Sequence, residues 1–197
     1  MRLGNKVALF ADVHGAHLTL VDALDECRQV NVTTVALLGD LIDRPEQADQ
    51  CALALAGWDV VGVYGNHERA IAVEAEAYRG QLRDETLQLL GRLRERIVVD
   101  DACLTHEVDQ WGQYALLARL RRQTEPNGDL ADARITFAGH THFRSARDEH
   151  GPLDIARGRL ALSERRRYLI NPGALASGQF AIWDREAHIV SFHQVGQ

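Results

Sequence analysis

The chain is nearly without lysine: Lys6 stands alone, and arginine supplies the rest of its 22 basic residues. Against 28 acidic residues this leaves a net charge of -6, which argues against a broad electrostatic grip on duplex DNA or RNA. A small phosphorylated partner remains compatible, because a bound cation would dominate the local field. Cysteine is scarce as well, with Cys27, Cys51 and Cys103 far apart and without C-x-x-C spacing. An odd, dispersed set excludes a disulfide framework and a thiolate metal site, and leaves small buried hydrophobes. No apolar run approaches the roughly 20 residues of a membrane-spanning helix. Val7 to Ala11 is cut short by Asp12 and cannot serve as the apolar core of a signal peptide. The expectation is a cytoplasmic protein that does not contact membranes. Repeats, low-complexity tracts and linkers are missing too, so the 197 residues are expected to form one domain spanning 1–197.

What is present is an alternation of strand-like and helix-like segments. Lys6 to Ala11, Thr33 to Leu38 and Asp59 to Tyr64 read as strands. Ala16 to Val30 has helical spacing, with Leu20, Leu24 and Cys27 on one face, and Glu46 to Ala56 reads as a second helix. Such β-α-β units predict parallel strands with helices on their faces. Glu68 to about Arg96 reads as helical. Beyond it come short β-type runs at Ile97 to Val99, Ala102 to Thr105, Ile135 to Ala138, Tyr168 to Ile170, Phe180 to Trp183 and His188 to Val195. A helix is expected at Gln113 to Arg122 and a loop at Thr124 to Asp129. The expected fold is α/β, two sheets layered with helices.

The polar residues that carry chemistry gather where apolar strands end. Asp12-Val13-His14, Gly39-Asp40 with Asp43-Arg44, Gly65-Asn66-His67-Glu68, His106, and Gly139-His140-Thr141-His142 close five separate runs. In open α/β sheets ligands bind beyond the carboxyl ends of strands. Asp12 and His14 are two apart, as are His140 and His142, so each pair faces one way on an extended chain. Glycines before Asp40, Asn66 and His140 permit sharp turns and close backbone approach. A mixed carboxylate, imidazole and amide set suits manganese, iron, zinc or cobalt better than magnesium or calcium alone, and manganese is placed first. Two carboxylates against two divalent ions leave the cluster at about +2, or about +1 with a hydroxide, the charge a phosphate anion needs. A single divalent ion would leave it neutral, with donors idle.

The order D-x-H, G-D-x-x-D-R, G-N-H-E, an isolated His and G-H-T-H, running from Asp12 to His142, resembles the calcineurin-like metallophosphoesterase superfamily. The later Asn171-Pro172-Gly173 is similar to a segment of its small bacterial and archaeal phosphodiesterases. The resemblance implies the superfamily's four-layer α/β fold, a two-sheet β-sandwich core flanked by helices. It implies that Asp12, His14, Asp40 and His142 hold one metal ion, and that Asp40, Asn66, His106 and His140 hold another, with Asp40 bridging. It implies attack by a hydroxide between the ions, proton donation by His67 held by Asp43, and phosphate binding by Arg44. The expected activity is hydrolysis of phosphodiester or nucleotide phosphate bonds. A phosphoprotein or dinucleoside-polyphosphate phosphatase is the nearest alternative, and a non-catalytic scaffold lies further off. Tyr64 stands where protein phosphatases carry Arg, and His142 is present where they often lack it, which favours the small phosphodiesterases. Glu107 replaces a small residue beside the second ion, and its role stays open.

Outside the motifs, His17, His150, His188 and His193 read as surface or core residues, and Trp58, Trp111 and Trp183 as packing residues. The arginine-rich segment Arg144 to Arg167 reads as a solvated β-hairpin face, with a phosphate-binding role as its alternative. Self-association of the chain stays open.

Overall fold

The computed structural model describes residues 3–107 and 133–196. Its first sheet has the order β3 (Asp59–Val63), β2 (Thr34–Leu38), β1 (Lys6–Phe10), β11 (Gln179–Asp184), β12 (Ile189–Gln194) and β9 (Arg159–Ala161). The second has the order β4 (Arg96–Val99), β5 (Ala102–Thr105), β6 (Ile135–Ala138), β10 (Tyr168–Asn171), β7 (Ser145–Asp148) and β8 (Gly151–Pro152). Both are mixed. β1, β2 and β3 run parallel, as do β5, β6 and β10, and β11 closes on β1 antiparallel. The expected two-sheet α/β architecture is borne out.

Side-chain alternation explains why the strands are apolar throughout. On β1, Val7 and Leu9 enter the core between the sheets, where they meet Leu104, Ile135, Phe137 and Ile170. Ala8 and Phe10 point the other way, into a second core with Leu20, Leu24, Cys51 and Leu90 from helices. A strand buried on both faces needs an unbroken apolar run, not an alternating one. The helices covering that outer face are α1 (His17–Gln29), α2 (Ala48–Ala54) and α4 (Asp84–Arg92). Cys27, Cys51 and Cys103 are buried thiols outside any disulfide, and burial pushes the Cys27 and Cys51 thiols up to about 12. They pack as hydrophobes. Trp183 sits in the core and Trp58 packs at its edge. Among the described residues no helix is long and apolar enough to cross a membrane.

One expectation is corrected. Glu68 to Arg96 is not one helix: it divides into α3 (Arg69–Val73), a 3-10 turn at Ala75–Tyr78 and α4, with β4 beginning at Arg96. Gly80 adopts φ +84°, and Arg79 and Leu82 form a β-bridge, so the chain turns there. Asp49 then fixes the start of α4, its Oδ1 accepting the Arg83 N–H at 3.1 Å and the Thr86 hydroxyl at 2.6 Å. The segment from Arg144 to Arg167 forms the β7–β8 hairpin and β9, with Arg157, Arg159, Arg165 and Arg166 exposed and Arg144, Arg147 and Arg167 partly buried. Arg144 donates to the carbonyls of Pro172 and His193. The expected helix at Gln113 to Arg122, the loop at Thr124 to Asp129 and Trp111 lie outside the described residues.

Asp148, at the end of β7, anchors the turn into β8. It accepts the His150 N–H at 2.8 Å, the Gly151 N–H at 3.1 Å and Arg166 Nη1 at 2.7 Å. Burial opposes its charge, but these donors outweigh burial and hold the carboxyl below its ordinary range. A depressed carboxylate stabilises the fold above the unfolded-state pKa, and that stability is lost as pH falls through the folded value. Asp148→Asn is therefore expected to lower stability by about 1.5–3 kcal/mol at neutral pH. The gap to the parent should close in acid, and denaturant titrations at neutral pH and below pH ~3 check this. An equal gap at both pH values would show that shape, not charge, anchors the turn.

Candidate metal centre

Each candidate ligand follows the carboxyl end of a strand: Asp12 and His14 follow β1, Asp40 β2, Asn66 β3, His106 β5, and His140 and His142 β6. Both sheets thus contribute, the first through β1 to β3 and the second through β5 and β6. Backbone bonds lock the loops together: Asp12 N–H donates to Gly39 O at 3.0 Å, and His14 N–H to Asp40 O at 2.9 Å. Asp12, His14, Asp40, His140 and His142 all have positive φ, between 49° and 71°. Non-glycine residues rarely adopt this conformation, and each costs on the order of 1 kcal/mol. Repeated strain of this kind aims side chains at the expense of backbone comfort. Gly65 has no alternative, since a Cβ there would lie 2.0 Å from Asp40 Oδ1. Gly39, at φ +88°, would place a Cβ 2.4 Å from His106 Nδ1.

The seven expected ligands come together in one cluster. His14 Nε2 and His142 Nε2 are 3.0 Å apart, and His142 Nε2 is 3.6 Å from Asp12 Oδ1. Asp40 Oδ2 lies 3.9 Å from His14 Nε2 and 3.3 Å from His106 Nε2, so it touches both halves. Asn66 Oδ1 is 3.1 Å from both His106 Nε2 and His140 Nδ1. Asp12–His14–His142, Asp40–His106–His140 and His14–Asp40–His67 are each compact enough to share one ion.

The donor chemistry fits cations. His106 Nδ1 donates to Leu38 O at 2.8 Å, which turns the lone pair of Nε2 into the cluster. Asn66 Oδ1 is an acceptor facing two ring nitrogens, and His14 and His142 face each other nitrogen to nitrogen. Asp12 Oδ1 accepts the His140 N–H at 2.9 Å, but Asp12 Oδ2 is buried with no hydrogen-bond partner. A buried carboxylate oxygen without a partner is costly, and a cation supplies what it lacks. Burial pushes the Asp12 carboxyl above its ordinary range, against the pull of the His140 N–H and neighbouring imidazoles. At Asp40 desolvation also opposes the charge, but His106 and the His67 N–H hold the carboxyl low. Desolvation opposes the His106 charge too, yet Asp40 keeps that imidazole above its ordinary value. Protons therefore compete with any cation for these donors.

His67 and Asp43 adjoin the cluster. His67 Nδ1 is 3.1 Å from Asp43 Oδ1, and its Nε2 lies 3.9 Å from Asp40 Oδ2. Asp43 Oδ1 also meets His14 Nδ1 at 2.5 Å, so one carboxylate orients two imidazoles, where the sequence suggested only His67. Arg44 is exposed and makes no side-chain contact with the cluster among the described residues. Glu107 Oε1 lies 3.9 Å from His140 Nε2.

Three supporting residues were not singled out from sequence. Buried Glu68 accepts the Gly65 N–H at 2.9 Å through Oε1, bracing the turn before Asn66. Asn171 Nδ2 donates to Gly139 O at 2.8 Å and to Thr141 Oγ1 at 3.1 Å, pinning the His140 to His142 loop. Gln47 Oε1 accepts the Asp43 and Arg44 N–H groups at 2.9 and 3.0 Å. Glu68 and Asn171 lay within recognised motifs; Gln47 left no signal.

Residues 6–188 match the sequence profile of the calcineurin-like phosphoesterase superfamily domain. The chain belongs to that superfamily. As a calcineurin-like phosphoesterase it is a metal-dependent phosphoester hydrolase by family. It is 23% identical over 190 residues to an uncharacterized protein of Methanocaldococcus jannaschii, covering 86% of this chain and 75% of that one. It is similar to the crystal structure of a metallophosphoesterase from Sphaerobacter thermophilus, with TM-score 0.72 and 25% identity over 97% of this chain and 88% of that one. It shares its fold with a structure described as a novel archaeal phosphodiesterase, with TM-score 0.60 and 16% identity over 96% and 99% of the two chains.

Proposed function

We propose that this calcineurin-like phosphoesterase hydrolyses phosphodiesters or nucleotide phosphates at a two-ion centre. Asp12, His14, Asp40 and His142 would hold one divalent ion, and Asp40, Asn66, His106 and His140 the other, with manganese placed first. Bound there, such ions acidify a water for in-line attack and supply positive charge to the phosphate. His67 donates a proton to the departing oxygen, since an alkoxide is too basic to leave unaided. Asp43 holds His67 through Nδ1, leaving Nε2 free to present that proton. Arg44, exposed and with its backbone N–H held by Gln47, pairs with phosphate oxygens through its planar fork. The reacting partner is a small phosphorylated molecule. Neither a membrane nor an extended nucleic acid is part of this reading.

The observation that carries the reading is the convergence of seven donors in one cluster, with the buried Asp12 Oδ2 lacking a hydrogen-bond partner among the described residues. Elemental analysis of the purified protein, paired with a substrate panel, tests it. About two transition-metal equivalents per chain are expected, with hydrolysis of a generic diester well above that of a phosphopeptide. A reconstituted sample that takes up no metal would sink the centre. Phosphopeptide activity far above diester activity would redirect the reading to a protein phosphatase.

A further inference from the structure

Beside the Asn66 and His106 edge of the cluster the surface falls into a cavity of about 200 Å³. This is small next to the ~300–1,000 Å³ of pockets that enclose whole ligands, and suits one functional group. Tyr64, Arg69, Arg96, Glu95 and Glu107 stand around it. Arg69 lies on α3 and Arg96 opens β4, so two unrelated elements bring two guanidinium groups to one opening.

Both arginines are exposed, and neither has a hydrogen-bond or ion-pair partner among the described residues. Several arginines elsewhere are paired, Arg79 with Glu76, Arg134 with Asp101, Arg166 with Asp148 and Arg185 with Asp100, whereas the two at this cavity stand available to an outside anion. Of the two carboxylates at the cavity, Glu107 lies toward His140. Glu95 is exposed and bonds to neither arginine. Two free guanidiniums next to a cluster read as phosphate-binding mark a place for a second anion. A carboxylate would match only one of them. A phosphate monoester carries about -1.5 to -2 at neutral pH and matches both, with enough oxygens for two planar forks.

We infer that Arg69 and Arg96 form a subsite for a second phosphate, so that the ester this centre cuts carries a further phosphate group besides the scissile one. This rests on the phosphoesterase reading above. The subsite lies on the Asn66 and His106 side, away from His67 and Asp43, so the second phosphate belongs to the part of the substrate opposite the leaving oxygen.

The test compares two chromogenic diesters: the p-nitrophenyl ester of thymidine monophosphate, and its counterpart with an added phosphate on the sugar. For the parent protein loaded with manganese, kcat/KM is expected to be about tenfold or more higher for the doubly phosphorylated ester. In the double variant Arg69→Met, Arg96→Met the two esters should become equal, with the simpler one changing less than about threefold, since methionine keeps the apolar stem. No preference in the parent, or a preference that survives the double substitution, overturns the subsite. Should the parent cleave neither ester, the phosphodiesterase reading fails and binding decides the subsite. Calorimetric titration would then compare thymidine bisphosphate with thymidine monophosphate. Tighter bisphosphate binding in the parent, lost in the variant, supports the inference. Equal affinities in the parent reject it.

Discussion

Asp40→Asn is expected to give a folded protein that no longer retains both ions and that hydrolyses its ester slower by on the order of 10³-fold or more. Asp40 is 2% exposed, and it is the residue that reaches both halves of the cluster, close to His14 on one side and His106 on the other. The substitution removes the charge while keeping the shape. The amide oxygen can still accept the His67 N–H that Asp40 Oδ1 accepts at 3.1 Å, so the fold has little reason to fail. What disappears is the negative charge that the proposed centre would share between two cations, which a neutral amide cannot replace. Metal content by elemental analysis, circular dichroism and turnover should be read on one sample. Two full equivalents of metal with near-parental turnover in Asp40→Asn would remove Asp40 from the bridging position.

His67→Ala should behave in the opposite way toward metal. Its ring lies outside the Asp12–His14–His142 and Asp40–His106–His140 groups, although it is also compact with His14 and Asp40, and Asp43 holds its Nδ1 at 3.1 Å. Both ions are expected to stay, while turnover on an alkyl ester falls by about 10²–10⁴-fold. The effect should depend on the leaving group. An alkoxide needs a proton as it departs, whereas p-nitrophenolate is stable without one, so the loss on a p-nitrophenyl ester should be much smaller. This contrast separates a proton donor from a residue that only shapes the site. An equal loss on both esters would assign His67 to binding or positioning. Asp43 cannot serve as a substitute probe, because its carboxylate also orients His14 and its removal disturbs the cluster itself.

Much of this arrangement was legible in the residues. Polar motifs that break off apolar runs mark strand ends, and five of them in order are what brought Asp12, His14, Asp40, Asn66, His106, His140 and His142 to attention. Parallel β1, β2 and β3 were legible because strands buried on both faces leave unbroken apolar runs. The strands of the arginine-rich segment lack that signal and were legible only as a β-hairpin face without bounds. β7 is Ser-Ala-Arg-Asp, with a buried aspartate whose Arg166 partner lies far along the chain. The over-long helix from Glu68 failed for a related reason. Gly80 and the Asp49 contacts that restart the chain at α4 are tertiary facts, and no local periodicity announces them. Glu68, Gln47 and Asn171 support the site by bonding backbone groups of its turns, and such a bond leaves no spacing to read.

The order of strands in the first sheet has a consequence for how the protein is made. β1 sits mid-sheet, between β2, which follows it closely, and β11, which begins at Gln179. A growing chain on the ribosome thus exposes Asp12, His14, Asp40 and Asn66 long before the neighbour that completes β1 has been translated. His106, His140 and His142 follow Asn66 on the other sheet, still ahead of β11. Distant pairing of this kind delays folding until late in synthesis. In the proposed two-ion centre, ion uptake would accordingly be a finishing step for the whole polypeptide.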